Sequence, residues 1–320
     1  MELTEVYRKG EAELRMRDIG FLLDGVETEF VMSNNRRVLD RYTIRQRCID
    51  GVEATTGCSI LGVTLNTPVI MSSMTMPIPS IVDNGLMEVA EGLRAAGSLM
   101  WTGTPIPKEL KAISETGVPL AANVKPFKDR GKMFRAIDEI QAAGVDWLGV
   151  EIDAGQGTKI HDKQMASDCF PLSLNELKEI RKAVSIPLIF KGVLSREDAE
   201  KSIEAGADGI FVSNHGGHTL DYLPHPFQVM AEIVSVARSK TVILVDGGFR
   251  RGSDAFKGLA FGAALVGLGR PILYGLAADS AAGVRAVIEG ITEEMKRLMS
   301  MTGVATPAEI DRHMLIERDG

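Results

Sequence analysis

Eight short apolar runs, each followed by an amphipathic stretch, constrain this chain more than any other feature. They are PVIMSS (68–73), SLMWTG (98–103), PLAANV (119–124), DWLGVEI (146–152), PLIFKG (187–192), GIFVSN (209–214), VILVDG (242–247) and ALVGLG (264–269). Continuous apolar runs suit strands covered on both faces, as in a parallel sheet; a half-exposed strand alternates instead. Between and after them lie helix-like segments at 84–96, 107–115, 131–143, 174–184, 196–205, 226–238, 253–261 and 280–300. Strict strand-then-helix order implies right-handed crossovers. Eight such units predict an α/β fold, the (β/α)8 or TIM barrel, which typically takes ~250 residues.

A weak internal repeat agrees. AAGVDWLGVEIDAG (142–155), EAGADGIFVSNHGG (204–217) and AFGAALVGLGRP (260–271) each run from a helix end through Gly into an apolar strand. Convergent use of Gly as a left-handed helix cap would give the same pattern. Residues 1–67 read as an extension packed on the barrel, with helices at 3–17 and about 29–42 and a hairpin around 57–68. The barrel is expected over 68–303 and a C-terminal tail over 304–320, one domain overall, since no Pro/Ser-rich linker divides the chain.

Composition narrows the function classes. With 320 residues and 45% hydrophobic content, the core needs no disulfide or metal staple. Cys48, Cys58 and Cys169 are widely spaced without a CxxC, so neither a zinc site nor a disulfide framework is expected, and a reducing cytoplasm fits. The charged N-terminus lacks the apolar stretch of a signal peptide, and no run reaches the ~18 apolar residues of a membrane span. A net charge of −7 argues against nucleic acid as a partner and leaves a small-molecule substrate.

A barrel places its active site at the C-terminal strand ends. Those ends carry Ser72, Ser73 and Thr75; Thr102 and Thr104; Asn123 and Lys125; Glu151 and Asp153; Lys191; Ser213 and His215; Asp246; and Gly269 with Arg270. A purely structural role requires only a few of these, and their recurrence around the ring predicts a ligand-lined mouth. The segment VDGGFRRG (245–252) could be a Gly-rich turn with a solvated Arg pair. Together with GLGRP (267–271) it fits a phosphate site instead, since loops after the seventh and eighth strands usually form one. Lys191 follows four apolar residues and should project into the mouth, where its cation can stabilise an anionic ring system. His215 with Asp153 suggests a base and its orienting carboxylate. His215, His218 and His225 could also be metal ligands, but no acidic or cysteine partner stands at helical spacing, so no metal is expected.

The stretch IPLIFKGVLSREDAEKSIEAGADGIFVSNHGG, followed by VILVDGGFRRGSDAFKGLAFGAALVGLGRPILYGLA, resembles the FMN-dependent α-hydroxy-acid oxidases and dehydrogenases, which include glycolate oxidase, lactate oxidase and mandelate dehydrogenase. The likeness is close over 186–302 and traceable from about residue 20. It implies a TIM barrel, FMN as cofactor and a homo-oligomer, tetramer or larger. It implies Lys191 beside flavin N1 and O2, with Asp246, Gly247, Gly248, Arg250, Gly269 and Arg270 at the ribityl and phosphate groups. Ser213 and Gly216 become further flavin contacts, and Ser73, Met74 and Thr75 run past its reactive edge. Asn123 stands where the family has a glutamine to the flavin ring, and Glu151 where it has a threonine. His215 becomes the base and Asp153 its partner, with two electrons passing to flavin N5.

Departures from the family concentrate on the substrate side. The family's carboxylate-binding arginine, three residues after the catalytic histidine, is His218 here. Two tyrosines correspond to Phe21 and Lys125, and a further arginine to Ile160, beside Lys159. The connection from Asp153 to Lys191 is also shorter than the family's. One imidazole does not reproduce a bidentate guanidinium clamp. An FMN oxidoreductase with an altered substrate pocket, including Lys125 and His218, is therefore expected. The alternatives are an FMN isomerase or lyase without net redox, resembling type 2 isopentenyl diphosphate isomerase, and a non-catalytic flavin-binding protein.

Overall fold

The structure is a computed structural model that describes residues 1–17, 19–156, 168–237 and 239–318. In the extension, β1 is Tyr42–Ile44, and β2 (Cys58–Ile60) and β3 (Val63–Leu65) form a hairpin. Eight strands then follow: β4 Val69–Met71, β5 Met100–Thr102, β6 Leu120–Val124, β7 Trp147–Glu151, β8 Leu188–Val193, β9 Gly209–Val212, β10 Val242–Val245 and β11 Leu265–Leu268. They pair in parallel in the order β4-β11-β10-β9-β8-β7-β6-β5. The amide of Met71 donates to Leu99 O at 3.1 Å, and that of Met74 to Trp101 O at 3.1 Å, which draws the two end strands together. The sheet is thus a barrel, and every predicted run supplies one of its strands.

Strand alternation sorts the side chains into two environments. Val69, Met71, Leu120, Ala122, Leu148, Val150, Phe190, Val212, Val245 and Val266 belong to the large core shared with the surrounding helices. Ile70, Trp101, Trp147, Ile189, Phe211, Leu244 and Leu265 form a second cluster together with Val63 and Leu65 of the hairpin. That cluster fills the lower barrel interior, and Trp147 Nε1 donates to Leu61 O at 3.1 Å, so the hairpin closes the bottom. Each such aliphatic or Phe side chain contributes roughly 1.5–3 kcal/mol of burial. Further along the same inward rows, apolar gives way to polar: Ser72, Asn123, Glu151, Lys191, Ser213 and Asp246, all buried. The barrel is apolar and closed below, and polar at its mouth.

Helices fall close to the predicted segments, including Gly85–Ala96, Arg130–Ala142, Leu174–Ala183 and Gly252–Ala260. The helix expected at 280–300 is present, and a further helical stretch precedes it: the element runs over Arg270–Thr302, with non-helical backbone at Asp279 and Ser280. Pro271 does not break it, because proline near a helix start gives up an N–H that has no intrahelical partner anyway. Helix Leu3–Met16 packs on this element, and a Cβ on Gly10 would lie 2.0 Å from Tyr274 O. The expected C-terminal tail carries β12 (Leu315–Glu317), which pairs antiparallel with β1 in the register Tyr42↔Glu317.

Candidate active site

A pocket opens at the polar mouth. Its lining includes Ser72, Ser73, Met74, Thr75, Lys125, Glu151, Lys191, His215, Gly216, His218, Asp246, Gly247, Gly248, Arg250, Gly269 and Arg270. Asn123 and Ser213 lie beneath it, and Asp153 stands behind His215. The sequence reading did not single out Leu22, Met76, Pro77, Phe249 and Leu273, which add apolar wall. Nothing in their local pattern distinguishes them from ordinary core residues. Ile160 and Lys159 lie outside the described residues, as does the side chain of Phe21.

The floor is a fixed hydrogen-bond net. Trp101 Nε1 donates to Asn123 Oδ1 at 2.7 Å, and Asn123 Nδ2 donates to Ser73 Oγ at 2.9 Å and Glu151 Oε1 at 3.0 Å. Ser73 Oγ donates to the same Glu151 oxygen at 2.7 Å. Gly149 makes room, since a Cβ there would sit 1.7 Å from Asn123 Oδ1. Burial alone would raise the pKa of Glu151, but His215, Lys125, Lys191 and the Asn123 bond outweigh it and hold the carboxyl down at about 2. Lys191 obeys the same balance with opposite sign. Burial would lower its pKa, yet Asp246, Asp153 and Glu151 raise it, so it stays an ammonium. Its Nζ donates to Ser213 Oγ at 3.3 Å.

On the wall, His215 Nδ1 lies 2.8 Å from Asp153 Oδ2, both side chains mostly buried. The carboxylate accepts Nδ1–H and leaves Nε2 as the basic nitrogen. His218 Nε2 lies 3.2 Å from an Arg270 Nη2. A guanidinium only donates, so His218 Nε2 accepts and the ring is neutral in this arrangement. His225, one of the three histidines weighed as metal ligands, sits elsewhere. It is fully buried, receives the Phe227 amide on Nδ1 at 3.1 Å, and donates from Nε2 to Gly247 O at 3.0 Å. Its role is to hold the Gly247 turn, and among the described residues no group of three potential ligands could hold a metal ion.

The opposite end suits an anion. Gly247 (φ +119°) and Gly248 (φ +82°) adopt backbone that other residues avoid. Beside them Gly269 is the N-cap of helix Arg270–Thr302, and Arg250 and Arg270 line the pocket. The Arg250 loop is pinned from below: Asp254 Oδ2 accepts the amides of Arg250 at 3.0 Å and Arg251 at 3.2 Å. Arg36 of the N-terminal extension grips the same carboxylate with two bonds of 3.0 Å. Glu151 Oε2 and Asp246 Oδ1 are buried and lack a hydrogen-bond partner. An organic group with ring N–H or hydroxyl donors at one end and a phosphate at the other would satisfy both ends; FMN has that constitution, and the residues fit it.

Comparison with known proteins agrees with this geometry. The chain matches the FMN-dependent dehydrogenase family over residues 11–171 and 155–317. It is 29% identical to L-lactate oxidase of Lentilactobacillus hilgardii over 99% of this chain and 94% of that protein. Glycolate oxidase 5 of Oryza sativa subsp. japonica is 28% identical, with 99% and 96% covered. The crystal structure of mandelate oxidase superposes with a TM-score of 0.90 at 27% identity, covering 98% of this chain and 97% of that one. Family match, barrel and pocket lead to one conclusion: the chain belongs to the FMN-dependent dehydrogenase family, as an FMN-binding oxidoreductase built on a TIM barrel.

Proposed function

We propose that this enzyme oxidises a 2-hydroxy acid or a related hydroxy compound, with His215 as base and Asp153 as the group that orients it. The observation that carries the reading is the 2.8 Å contact between His215 Nδ1 and Asp153 Oδ2 at the pocket wall. Oxidising an alcohol carbon to a carbonyl releases two electrons and two protons. FMN, when bound, supplies the two-electron acceptor. His215 Nε2 takes a proton from the substrate, and the Asp153 carboxylate stabilises the imidazolium that results. Lys191 holds a positive charge at the pocket floor, with Ser73, Met74, Thr75, Asn123, Glu151 and Ser213 completing the ring-binding side. Gly216, Asp246, Gly247, Gly248, Arg250, Gly269 and Arg270 hold the ribityl and phosphate end.

The substrate side differs from a two-pronged carboxylate clamp. In our reading Lys125 is the cation that meets an anionic substrate group, and His218 offers a neutral imidazole hydrogen bond. A lysine is a point charge and fixes orientation less tightly than a guanidinium fork. The expected consequence is tolerance of hydroxy amides, esters or larger hydroxy acids. The reading also includes a cytoplasmic location and a homo-oligomer, while no described helix is long and apolar enough to cross a membrane. Turnover with an artificial electron acceptor across a panel of hydroxy acids, amides and alcohols tests this. Activity starting from oxidised FMN supports an oxidase or dehydrogenase; turnover that requires FMN reduced beforehand, without net oxidation, would refute it.

A further inference from the structure

The carboxylate of Glu151 is the oddest group in the pocket. It is 2% exposed and lines the cavity, and only Oε1 is engaged, by Ser73 Oγ at 2.7 Å and Asn123 Nδ2 at 3.0 Å. Oε2 is buried without a hydrogen-bond partner. A buried carboxylate oxygen without a donor is costly, so a ligand donor that completes it is strongly favoured. The net beneath permits no escape. Asn123 spends Oδ1 on Trp101 Nε1, which fixes its Nδ2 toward Glu151, and the group is a pure acceptor while ionised.

Two donors are conceivable: an imide N–H of the FMN ring and a hydroxyl of the substrate. Glu151 Oε1 shares the floor net with Asn123 and Ser73, which favours the ring. We propose that Glu151 accepts the imide N–H of bound FMN through Oε2 and places a fixed negative charge at the ring, poising the cofactor at a lower reduction potential than a neutral residue would. Reduction of the ring by two electrons and one proton adds one negative charge to it, so a nearby anion opposes reduction and a nearby cation favours it. Three carboxylates, Asp246, Asp153 and Glu151, act on Lys191, and Lys125 acts on Glu151. Glu151 is buried, so its charge acts on its surroundings with less screening than it would have in water. The inference rests on FMN occupying this pocket.

The test compares FMN-loaded wild type with Glu151→Gln, which keeps the shape but removes the charge and one of the two acceptor oxygens, and with Glu151→Ala. The two-electron midpoint potential, measured anaerobically against a reference dye, should rise in Glu151→Gln by at least tenfold in the reduction equilibrium constant, which is about 30 mV. Binding of 3-methyl-FMN, which lacks the imide N–H, should be at least tenfold weaker than binding of FMN in wild type. Glu151→Ala should lose that discrimination. An unchanged or lower potential in Glu151→Gln, or equal binding of both flavins by wild type, would overturn the proposal while leaving FMN binding intact. A wild-type protein that takes up neither flavin would overturn the cofactor assignment along with it.

Discussion

His215 Nδ1 stands 2.8 Å from Asp153 Oδ2, although the two residues are separated by 62 positions. The contact depends on the backbone of both partners. His215 has φ +54°, a left-handed conformation that a non-glycine residue adopts at a cost of about 1–3 kcal/mol. Ser213 Oγ accepts the His215 amide at 3.0 Å and Asn214 caps the turn through the Gly216 amide at 3.3 Å, which offsets part of that cost. The strain turns the imidazole onto the pocket wall instead of letting the chain run on past β9.

Asp153→Asn should keep the ring near its place but remove the charge that stabilises the imidazolium. We expect kcat to fall by about 10²–10⁴-fold, the usual worth of a positioned base, with FMN content unchanged. Steady-state rates normalised to bound flavin give the answer; a loss smaller than threefold would show that Asp153 does not serve the base.

Gly192 guards the same pair from the next strand. The β8–β9 register shifts between Lys191 and Val193, and Gly192 there has φ +95°. A Cβ on it would lie 2.2 Å from Asp153 Cγ. Gly192→Ala should therefore cost about 1–3 kcal/mol in stability through backbone strain and also displace Asp153. Urea unfolding and kcat measured together would show both losses; a fully stable variant with wild-type kcat would contradict this packing.

Trp101→Phe removes the Nε1 donor and strands Asn123 Oδ1 in a buried site. The expected cost is about 1–3 kcal/mol in unfolding free energy, beyond what the smaller ring loses in packing. Trp101→Phe combined with Asn123→Leu, which removes both partners, should recover part of it. Additive losses in this double-mutant cycle would show that the bond carries nothing.

Stability should depend on pH through His225. Burial lowers its pKa in the fold from 6.5 to about 4, with the Gly247 carbonyl opposing. Between those values the unfolded chain binds more protons, so stability is complete above about pH 6.5 and is lost as pH falls toward 4. The loss from this group reaches about 3 kcal/mol at most. In His225→Gln the slope over that window should flatten, as read from denaturation midpoints at stepped pH; an unchanged slope would point to other groups.

Much of this architecture was legible in the chain because a parallel barrel writes itself locally. Each apolar run had to be covered on both faces, so its period and its length were enough to announce β4 to β11. The polar ends of those runs, from Ser73 to Arg270, marked the mouth for the same reason. Contacts across the chain were not legible. Nothing in the spacing ties Asn35 to Asn214, whose Nδ2 donates to Asn35 Oδ1 at 2.7 Å, or Arg36 to Asp254. Asp221 likewise accepts the Thr28 and Val31 amides and so anchors the start of helix Phe30–Asp40, although it reads locally as a loop residue. The helix that begins at Arg270 is not announced locally, because Pro271 is a poor sign of a helix unless its place in the first turn is known. Its capping by Gly269 is a property of the folded turn.

The central claim is that His215 is the base of an FMN-dependent oxidation. Anaerobic rapid mixing of the FMN-loaded protein with an accepted hydroxy compound tests it most directly, because bleaching of the flavin absorbance reports the oxidation step alone. Wild type should bleach in a single phase, and His215→Ala, carrying the same amount of FMN, should bleach at least 10²-fold more slowly. Bleaching of His215→Ala at the wild-type rate would contradict the account.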